Sequence, residues 1–309
     1  MFQSRRALGA GLAGAAMMLA LAGCSTQTAE TESEAAGAAQ CNRECLEGMI
    51  TTYVDALVAK DPSALPMAEG ARYTEDARDL ALGEGVWETV TGKGAFRQDY
   101  LDTRAQVAAS HVELLEGDNK VLYSVLLHVE GDRIGGIETL VQRITPDSRF
   151  QPTELGGPIR GMNDPVPEGQ AQSRESMIET ALTYTEGLRI GNFSDGGTPF
   201  ADETYRVENG VITAGEGCGR DDCGMYSQRI MVHPSILASV AAVDEEAGIV
   251  LLWMNFGYTD SYGEGNALVT YEAFKVWGGE IHSILAFFAP LPIATPRYWN
   301  ASDPLPAGS

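Results

Sequence analysis

Two stretches of sequence decide the fold, GDRIGGIETLV at residues 131–141 and GGEIHSILAFF at residues 278–288. They align with each other without a gap, and each belongs to a series of strand-like apolar runs separated by turn residues. This similarity indicates an internal repeat, in which one structural unit occurs twice along the chain.

The elements that precede these stretches also occur twice, in the same order. Apolar residues from Leu46 to Leu57 recur at i, i+3, i+4 and i+7, which predicts a helix, and residues 173–188 predict a second one. A polar, irregular segment follows each helix, RYTEDARDLALGEG (72–85) in the first copy and FADETYRVENG (200–210) in the second. Each copy is therefore predicted to run from helix, through an irregular segment, to strands.

This order predicts an α+β architecture of two tandem cone-shaped domains, each a curved antiparallel sheet wrapped around helices. A further short helix is predicted in each domain, near residues 95–100 and 226–232. A stretch rich in Pro and Gly separates the two copies and reads as a linker. The predicted boundaries are 41–147 for the first cone domain, 148–172 for the linker, 173–299 for the second cone domain and 300–309 for a C-terminal tail.

The N-terminus has the layout of a bacterial lipoprotein signal. Arg5 and Arg6 precede a short apolar run that ends in Leu-Ala-Gly-Cys. Residues 1–23 are thus predicted to be a signal peptide, Cys24 the lipid-carrying first residue, and residues 24–40 a flexible acidic tether. An ordinary secretory signal cut nearby is the alternative. The chain is expected to be exported and held at a bacterial membrane surface, on the outer-membrane, periplasmic or cell-surface side.

Charge and cysteine content narrow the possible partners. The formal net charge of −22 repels nucleic acid phosphates, which excludes nucleic acid as an expected partner.

After Cys24, the cysteines form two close pairs, Cys41/Cys45 and Cys218/Cys223, and in an oxidising compartment they predict two disulfides. Three connectivities are possible and local pairing is favoured. A zinc site is the other reading, although neither spacing is C-x-x-C.

Four segments of the sequence, two in each half, resemble a known protein family. The strings that carry the resemblance are CNRECLEGMITTYVDALVAKDP, RYTEDARDLALGEGVWETVTG, FADETYRVENGVITAG and VAAVDEEAGIVLLWMNF. Each half looks like the nuclear-transport-factor-2-like, or SnoaL-like, fold, and the pair resembles a secreted tandem family of largely unknown function. Relatives of this fold include cyclases, isomerases, dehydratases and binding proteins. Some secreted members resemble glutathione-independent enzymes that cleave lignin-type β-aryl ethers.

Pockets in such domains are apolar with a few converging polar groups, so polar residues among apolar neighbours are the candidate site. FADETYRVENG is interpreted as the polar edge of a pocket. Asp202 or His282 is expected to move a proton, while Arg206 and Tyr226 stabilise developing negative charge. The residues expected to bind substrate are Glu208, Asn209, Arg229, Trp253 and Asn255 in the second half, and Tyr73 and Trp87 in the first.

Several of these residues also have a purely structural reading. Asp202 and Arg206 are four apart and would also suit a surface ion pair, and Asn209-Gly210 would suit a turn. His282 has apolar neighbours, as a structural histidine would. His111 and His233 are predicted to be at the surface.

The sequence thus predicts a membrane-tethered, extracytoplasmic enzyme that acts on a small aromatic substrate by acid–base chemistry, without cofactor or metal. Cleavage of a lignin-type β-aryl ether, an activity suggested by the resemblance, is the specific hypothesis. The alternatives are a SnoaL-type isomerase, dehydratase or cyclase, and a non-catalytic lipoprotein that binds an apolar or aromatic ligand. A third reading treats one half as catalytic and the other as a degenerate structural copy. A homodimer is a further expectation.

Overall fold

The computed structural model describes residues 40–258, 262–297 and 299–304. The predicted signal peptide, Cys24 and nearly all of the tether lie outside these residues. The first half contains a 17-residue helix, a single 3-10 turn, a four-residue helix and six strands. These elements are α1 (Arg43–Ala59), the 3-10 turn (Pro62–Ala64), β1 (Met67–Glu75), β2 (Arg78–Asp79), α2 (Val86–Thr89), β3 (Gly92–Asp102), β4 (Val107–Glu116), β5 (Asn119–Glu130) and β6 (Arg133–Arg143).

The second half repeats the long helix and the six strands. Its elements are α3 (Arg174–Ile190), β7 (Phe200–Glu208), β8 (Val211–Gly215), β9 (Leu237–Asp244), β10 (Ile249–Asn255), β11 (Asn266–Trp277) and β12 (Glu280–Pro292). The predicted repeat is thus present in the structure, and both halves lie within one compact unit.

The two sheets have the same topology. Their strand orders are β2-β1-β6-β5-β4-β3 and β8-β7-β12-β11-β10-β9. In each sheet the neighbours are antiparallel except for one parallel pair, β1 with β6 and β7 with β12. The sheets are therefore mixed, and the structure contains more strand and less helix than the sequence predicts.

Both long helices begin at a capping side chain and end at a left-handed residue. The Asn42 side chain accepts a hydrogen bond from the Cys45 amide, and the Ser173 hydroxyl accepts one from the Ser176 amide. Gly191 ends α3 with φ of 78°, a conformation that glycine adopts without strain. Each helix packs its apolar side on one face of its own sheet, and these contacts form one core per half.

The opposite faces of the two sheets pack against each other and form a third core. Its members come from both halves and from the segment between them, for example Tyr100, Leu126, Leu251 and Phe287. Burial of this much apolar surface is the main stabilising contribution to the contact between the halves. Each sheet thus has one face covered by its own helix and the other by the opposite sheet.

Buried ion pairs cross the same interface. The guanidinium of Arg174 in α3 donates to the Asp102 carboxylate at 2.5 Å, and both side chains are inaccessible to solvent. Arg43 in α1 makes the reciprocal contact with Asp244, with Nη1 at 2.6 Å from Oδ1. Removal of either arginine would leave a carboxylate that is inaccessible to solvent without its cation, which is strongly destabilising.

The linker region has no helix or strand between residues 144 and 173, as the sequence predicts. It nevertheless packs closely, because Leu155, Ile159 and Met162 are buried in the core between the sheets. The exact domain boundaries stay a prediction.

Four predictions of local structure were wrong. RYTEDARDLALGEG, interpreted as an irregular segment, contains the end of β1 and all of β2. Residues 95–100 form part of β3, since Phe96 and Tyr100 alternate into the core between the sheets. Residues 226–232 form turns and irregular chain instead of a helix. FADETYRVENG, interpreted as an irregular segment, begins with strand β7 and ends in a turn at Asn209-Gly210.

The cysteines pair locally, as predicted. Cys41 is bonded to Cys45, with the Cα atoms 5.3 Å apart, and Cys218 to Cys223, at 6.4 Å. Two disulfides fit an oxidising, extracytoplasmic environment. Among the described residues, no helix is both long and apolar enough to cross a membrane.

Candidate functional site

A cavity of about 540 Å³ lies on the helix-bearing side of the second sheet, and most of its wall belongs to the second half. Gln142 and Ile144 of the first half also line the cavity. Its opening is bordered by residues 148–150 of the linker region and by residues 228–231, which follow the Cys218–Cys223 disulfide. The volume suits a small organic ligand. Most of the wall is apolar or aromatic, with contributions from Phe150, Tyr184, Leu188, Ile230, Phe256, Tyr262, Leu268 and Phe288.

Arg206 is the buried cation of this wall. It lies on β7, and its guanidinium donates to the Tyr184 hydroxyl at 2.8 Å and to the Gln228 side-chain oxygen at 2.9 Å. The Glu208 carboxylate lies 3.4 Å away. Burial alone would lower the pKa of Arg206, but Glu208, Tyr184 and Glu272 raise it above its usual value. The guanidinium therefore remains charged inside the domain.

Glu272 is a buried acid beside Arg206 and Tyr184. It lies on β11 and shares the inner face of the sheet with Leu268 and Phe274 by period-two alternation. Its Oε1 atom is buried and has no hydrogen-bond partner. Burial raises the pKa of Glu272 to about 8 and the Glu208 charge adds to the rise, while Arg206 and Tyr184 oppose it. A large fraction of this carboxyl is therefore protonated at neutral pH.

Glu272 is set behind the cavity wall. Tyr184 and Arg206 line the cavity, whereas Glu272 is not among the lining residues and interacts with the Tyr184 side chain from behind. Because the Tyr184 oxygen accepts from Arg206, its own proton is available for Glu272 or for a molecule in the cavity. The three side chains form a connected polar group at the edge of an apolar space.

Four of the predicted site residues line this cavity: Arg206, Glu208, Asn209 and Arg229. Asn209 has a structural part as well, since its side-chain amide donates to the Phe288 carbonyl at 3.0 Å and accepts from the Phe288 amide at 2.9 Å. It also takes a left-handed conformation, with φ of 44°, in the turn that follows β7. Both amide atoms of Asn209 are therefore occupied by backbone groups.

The other residues proposed for catalysis lie elsewhere. Asp202 is exposed on β7 and does not line the cavity, and the Asp202–Arg206 ion pair is not present because Arg206 pairs with Glu208. The Tyr226 hydroxyl donates to the Thr198 carbonyl and accepts from the Phe200 amide, both at 2.9 Å. Tyr226 thus holds the start of β7 in place, and its side chain is otherwise exposed.

His282 lies in a different groove. Its Nδ1 is 2.7 Å from the Glu203 carboxylate, its Nε2 is 3.1 Å from the Trp277 carbonyl oxygen, and its ring stacks on Trp277 at 3.4 Å. Arg160 and Tyr205 line the same groove. The structure therefore does not bring Asp202, His282, Arg206 and Tyr226 together around one cavity.

The remaining predicted binding residues are parts of the framework. Trp253 is buried in the core between the sheets, and Tyr73 and Trp87 are buried in the core of the first half. Asn255 is buried and donates to the Ile293 and Thr295 carbonyls, at 3.1 and 2.9 Å, so it ties the C-terminal segment to β10.

Two histidines predicted to be exposed are buried. His111 is a β4 residue, and burial lowers its pKa to about 3. His233 lines the cavity with its ring against Phe256, and burial lowers its pKa as well. Both imidazoles are therefore neutral at physiological pH. In the part of the chain that the structure describes, no cluster of His, Cys, Asp and Glu side chains is arranged to hold a metal ion.

Comparison with known proteins adds to this description. A model of a family described as "Domain of unknown function (DUF8021)" matches residues 170–288, which include α3, the cavity residues of β7 and Glu272. The matched segment covers most of the second half and most of the residues that line the cavity. No curated protein matches the chain.

One solved structure with similarity is described as "Crystal structure of putative ketosteroid isomerase from Kribbella flavida DSM 17836". The alignment has 17% sequence identity and a TM-score of 0.29, and it covers 38% of this chain and 97% of that chain. A likeness at this level supports no conclusion about the activity of this protein.

Proposed function

We propose that the second half is the working half and that it binds a small, largely apolar molecule and moves a proton on it. This is the chemistry of an isomerase or a dehydratase. The observation that carries the proposal is Glu272, a buried carboxyl with an unpartnered oxygen beside the Arg206–Tyr184 pair. Titratable groups whose pKa values are strongly shifted in a cleft are candidates for acid–base catalysis.

In this proposal Glu272 is the general acid and acts through Tyr184. The Tyr184 hydroxyl donates its proton to an oxygen of the bound molecule and regains one from the Glu272 carboxyl. Arg206, already bonded to the tyrosine oxygen, stabilises the negative charge that develops during this transfer.

Glu208 is the complementary base. Its carboxylate lies in the cavity wall next to Arg206 and is placed to accept a proton from a carbon of the ligand. Removal of a carbon proton by Glu208 and protonation of the carbonyl oxygen through Tyr184 would give a dienol. Return of the proton from Glu208 to another carbon, and of the oxygen proton to Tyr184, would complete a double-bond shift. Protonation of a hydroxyl group through Tyr184 would instead expel water. Two carboxyl groups in unlike environments, one buried and one at the cavity, suit this division of roles.

Cleavage of a β-aryl ether stays a prediction of the family resemblance. Protonation of the ether oxygen through Tyr184 would serve that reaction too, but no feature of the cavity favours it over isomerisation. The second candidate function is ligand binding without catalysis. It is favoured by the mostly apolar wall and by the position of Glu272 behind that wall instead of in it.

The test is exchange of ligand hydrogen for deuterium. Wild type and Glu272→Gln would be incubated in D₂O with a panel of cyclic enones, β-hydroxy ketones and a phenolic β-aryl ether, and products followed by mass spectrometry and NMR. Loss of a positioned acid typically costs about 100- to 10,000-fold in rate. We expect exchange or turnover with wild type and a loss of this size with Glu272→Gln.

Asp202→Asn is the matched control, because it also converts a carboxylate to an amide on the second sheet but lies outside the cavity. It is expected to retain full activity. A bound ligand that neither exchanges nor reacts with wild type would favour the binding function. Activity that survives in Glu272→Gln would remove Glu272 from the mechanism.

A further inference from the structure

Two arginines, Arg149 and Arg229, border the opening of the second-half cavity. Both are exposed at the surface and both line the cavity. The Arg149 guanidinium lies over the Phe150 ring, 5.6 Å from its centroid, and Phe150 is part of the same wall. The opening therefore presents positive charge next to an aromatic surface.

These two arginines differ from the other basic residues that the structure describes. Every other lysine and arginine in residues 40–258, 262–297 and 299–304 either forms an ion pair or donates to a backbone carbonyl. Arg149 and Arg229 do neither among the described residues. Acidic residues outnumber basic ones by 43 to 21 in the sequence, so a basic side chain with neither a carboxylate nor a backbone carbonyl as partner is unusual here.

The position of these charges selects one class of ligand. An aromatic ring suits the Phe150, Phe256 and Phe288 side of the cavity, because buried aromatic pairs gain from both area and ring geometry. An anionic group left at the opening would meet two guanidinium groups that have no competing partner, and arginine matches a carboxylate in geometry and charge. A cationic ligand would be repelled there.

We infer that the ligand of this cavity is a small aromatic carboxylate, bound with its ring inside and its carboxylate at Arg149 and Arg229. The inference rests on the proposed function only in placing the ligand in this cavity, and it does not depend on the role of Glu272. On an otherwise acidic surface, the two arginines would also steer such an anion towards the opening.

The experiment is a competition assay with the full-length protein. N-phenyl-1-naphthylamine, a neutral fluorescent probe, would be displaced by 2-naphthoate and by 2-naphthamide, which differ in charge but hardly in shape. We expect naphthoate to compete more strongly by about fivefold per arginine contact at low salt. Arg149→Gln and Arg229→Gln should each remove about that factor for naphthoate and leave naphthamide unchanged. High salt should also reduce the difference.

Arg133→Gln is the control, because Arg133 is an exposed arginine on the first-half sheet and does not line the cavity. It should leave the preference for naphthoate intact. Equal competition by the two naphthalene compounds, or equal weakening by all three arginine substitutions, would overturn the inference. So would failure of naphthoate to displace the probe.

The outcome is separable from that of the proposed function. Glu272→Gln should keep the naphthoate preference even if it abolishes turnover. A preference for naphthoate without any loss of turnover in Glu272→Gln would sustain the ligand class and reject the acid. Loss of turnover in Glu272→Gln, together with equal competition by the two naphthalene compounds, would sustain Glu272 as the acid and reject the aromatic carboxylate as the ligand.

Discussion

The interiors of the two halves share a framework and differ in what fills it. Tyr53 in α1 and Tyr184 in α3 occupy the same position in helices of equal length, and Tyr73 in β1 corresponds in the same way to Arg206 in β7. On the inner face of the sheet, Val125 of β5 corresponds to Glu272 of β11. The three matched positions thus carry two tyrosines and a valine in the first half, and a tyrosine, an arginine and a glutamate in the second.

The first half closes its interior with its own side chains. The Tyr53 and Tyr123 hydroxyls are 2.7 Å apart, and the Tyr73 hydroxyl donates to Glu75 at 3.0 Å. In the second half the position of Tyr123 is taken by the much smaller Thr270. Loss of one ring and introduction of a guanidinium and a carboxyl fit the presence of a cavity there. This difference fits the proposal that the second half is the working half.

The largest expected effect in this comparison is the pH dependence of stability that Glu272 contributes. The folded-state pKa of Glu272 is about 8 against an ordinary value of 4.5, so the folded protein binds more protons than the unfolded chain between these values. Wild type should therefore lose stability relative to Glu272→Gln as pH rises from about 4.5 to 8. At about 1.4 kcal/mol per pKa unit, the change would reach up to about 5 kcal/mol.

Urea unfolding of both proteins across this pH range would measure that difference. Asp76, whose pKa burial raises to about 6, titrates in both proteins and cancels. The stability difference should be flat below about pH 4.5 and above about pH 8, with all of the change between. A difference that stays constant with pH would mean that Glu272 is ionised in the folded state.

A carboxyl placed at the matched position of the first half should be destabilising. Val125→Glu would bury an acid that has Tyr73 instead of an arginine nearby. An unpaired buried polar or charged group costs several kcal/mol, so we expect a loss of about 3–5 kcal/mol in the free energy of unfolding at neutral pH. Val125→Met is the control of similar length without charge and should cost less. Equal losses from the two substitutions would show that the interior of the first half tolerates charge as the second does.

The smallest expected effect is at Asp202. Its side chain is exposed and outside the cavity, so Asp202→Asn should change the free energy of unfolding by no more than about 0.5 kcal/mol and leave activity intact. This result would show that Asp202 has no part in the cavity, although Arg206 on the same strand lines it. A large loss of turnover in Asp202→Asn, with normal thermal unfolding, would restore Asp202 as the proton-transfer residue suggested by the sequence.

Much of the fold could be predicted from the sequence because its signals are local. The heptad-like spacing in α1 and the alternation in β5, β6, β11 and β12 depend only on neighbouring residues. The strand at residues 95–100 was missed because its alternation becomes meaningful only when Phe96 and Tyr100 meet the other sheet. The packing between the halves depends on residues from both of them, so no single segment of sequence predicts it.

The candidate site was harder to predict for the same reason. Arg206 and Glu208 were found because charges crowd beside aromatic residues in one short stretch. Glu272 was missed, although a single acid on the inward side of an apolar strand, in register with Leu268 and Phe274, is a signal that the alternation contains. Asn255 was predicted to bind substrate because alternation along β10 shows which face of the sheet it shares. Its actual partners are C-terminal backbone carbonyls nearly forty residues away, which no local pattern indicates.

The most direct test of the central claim is the same substitution at the two matched tyrosines. Tyr184→Phe and Tyr53→Phe each remove one buried hydroxyl from the equivalent position of the two long helices, so their effects on packing should be similar. Deuterium exchange and turnover would be measured for both with a substrate of the wild type. We expect Tyr184→Phe to lose about 100-fold or more in rate, because it breaks the link between Glu272 and the cavity, and Tyr53→Phe to keep wild-type activity. Full activity in Tyr184→Phe, or an equal loss in Tyr53→Phe, would contradict the assignment of function to the second half.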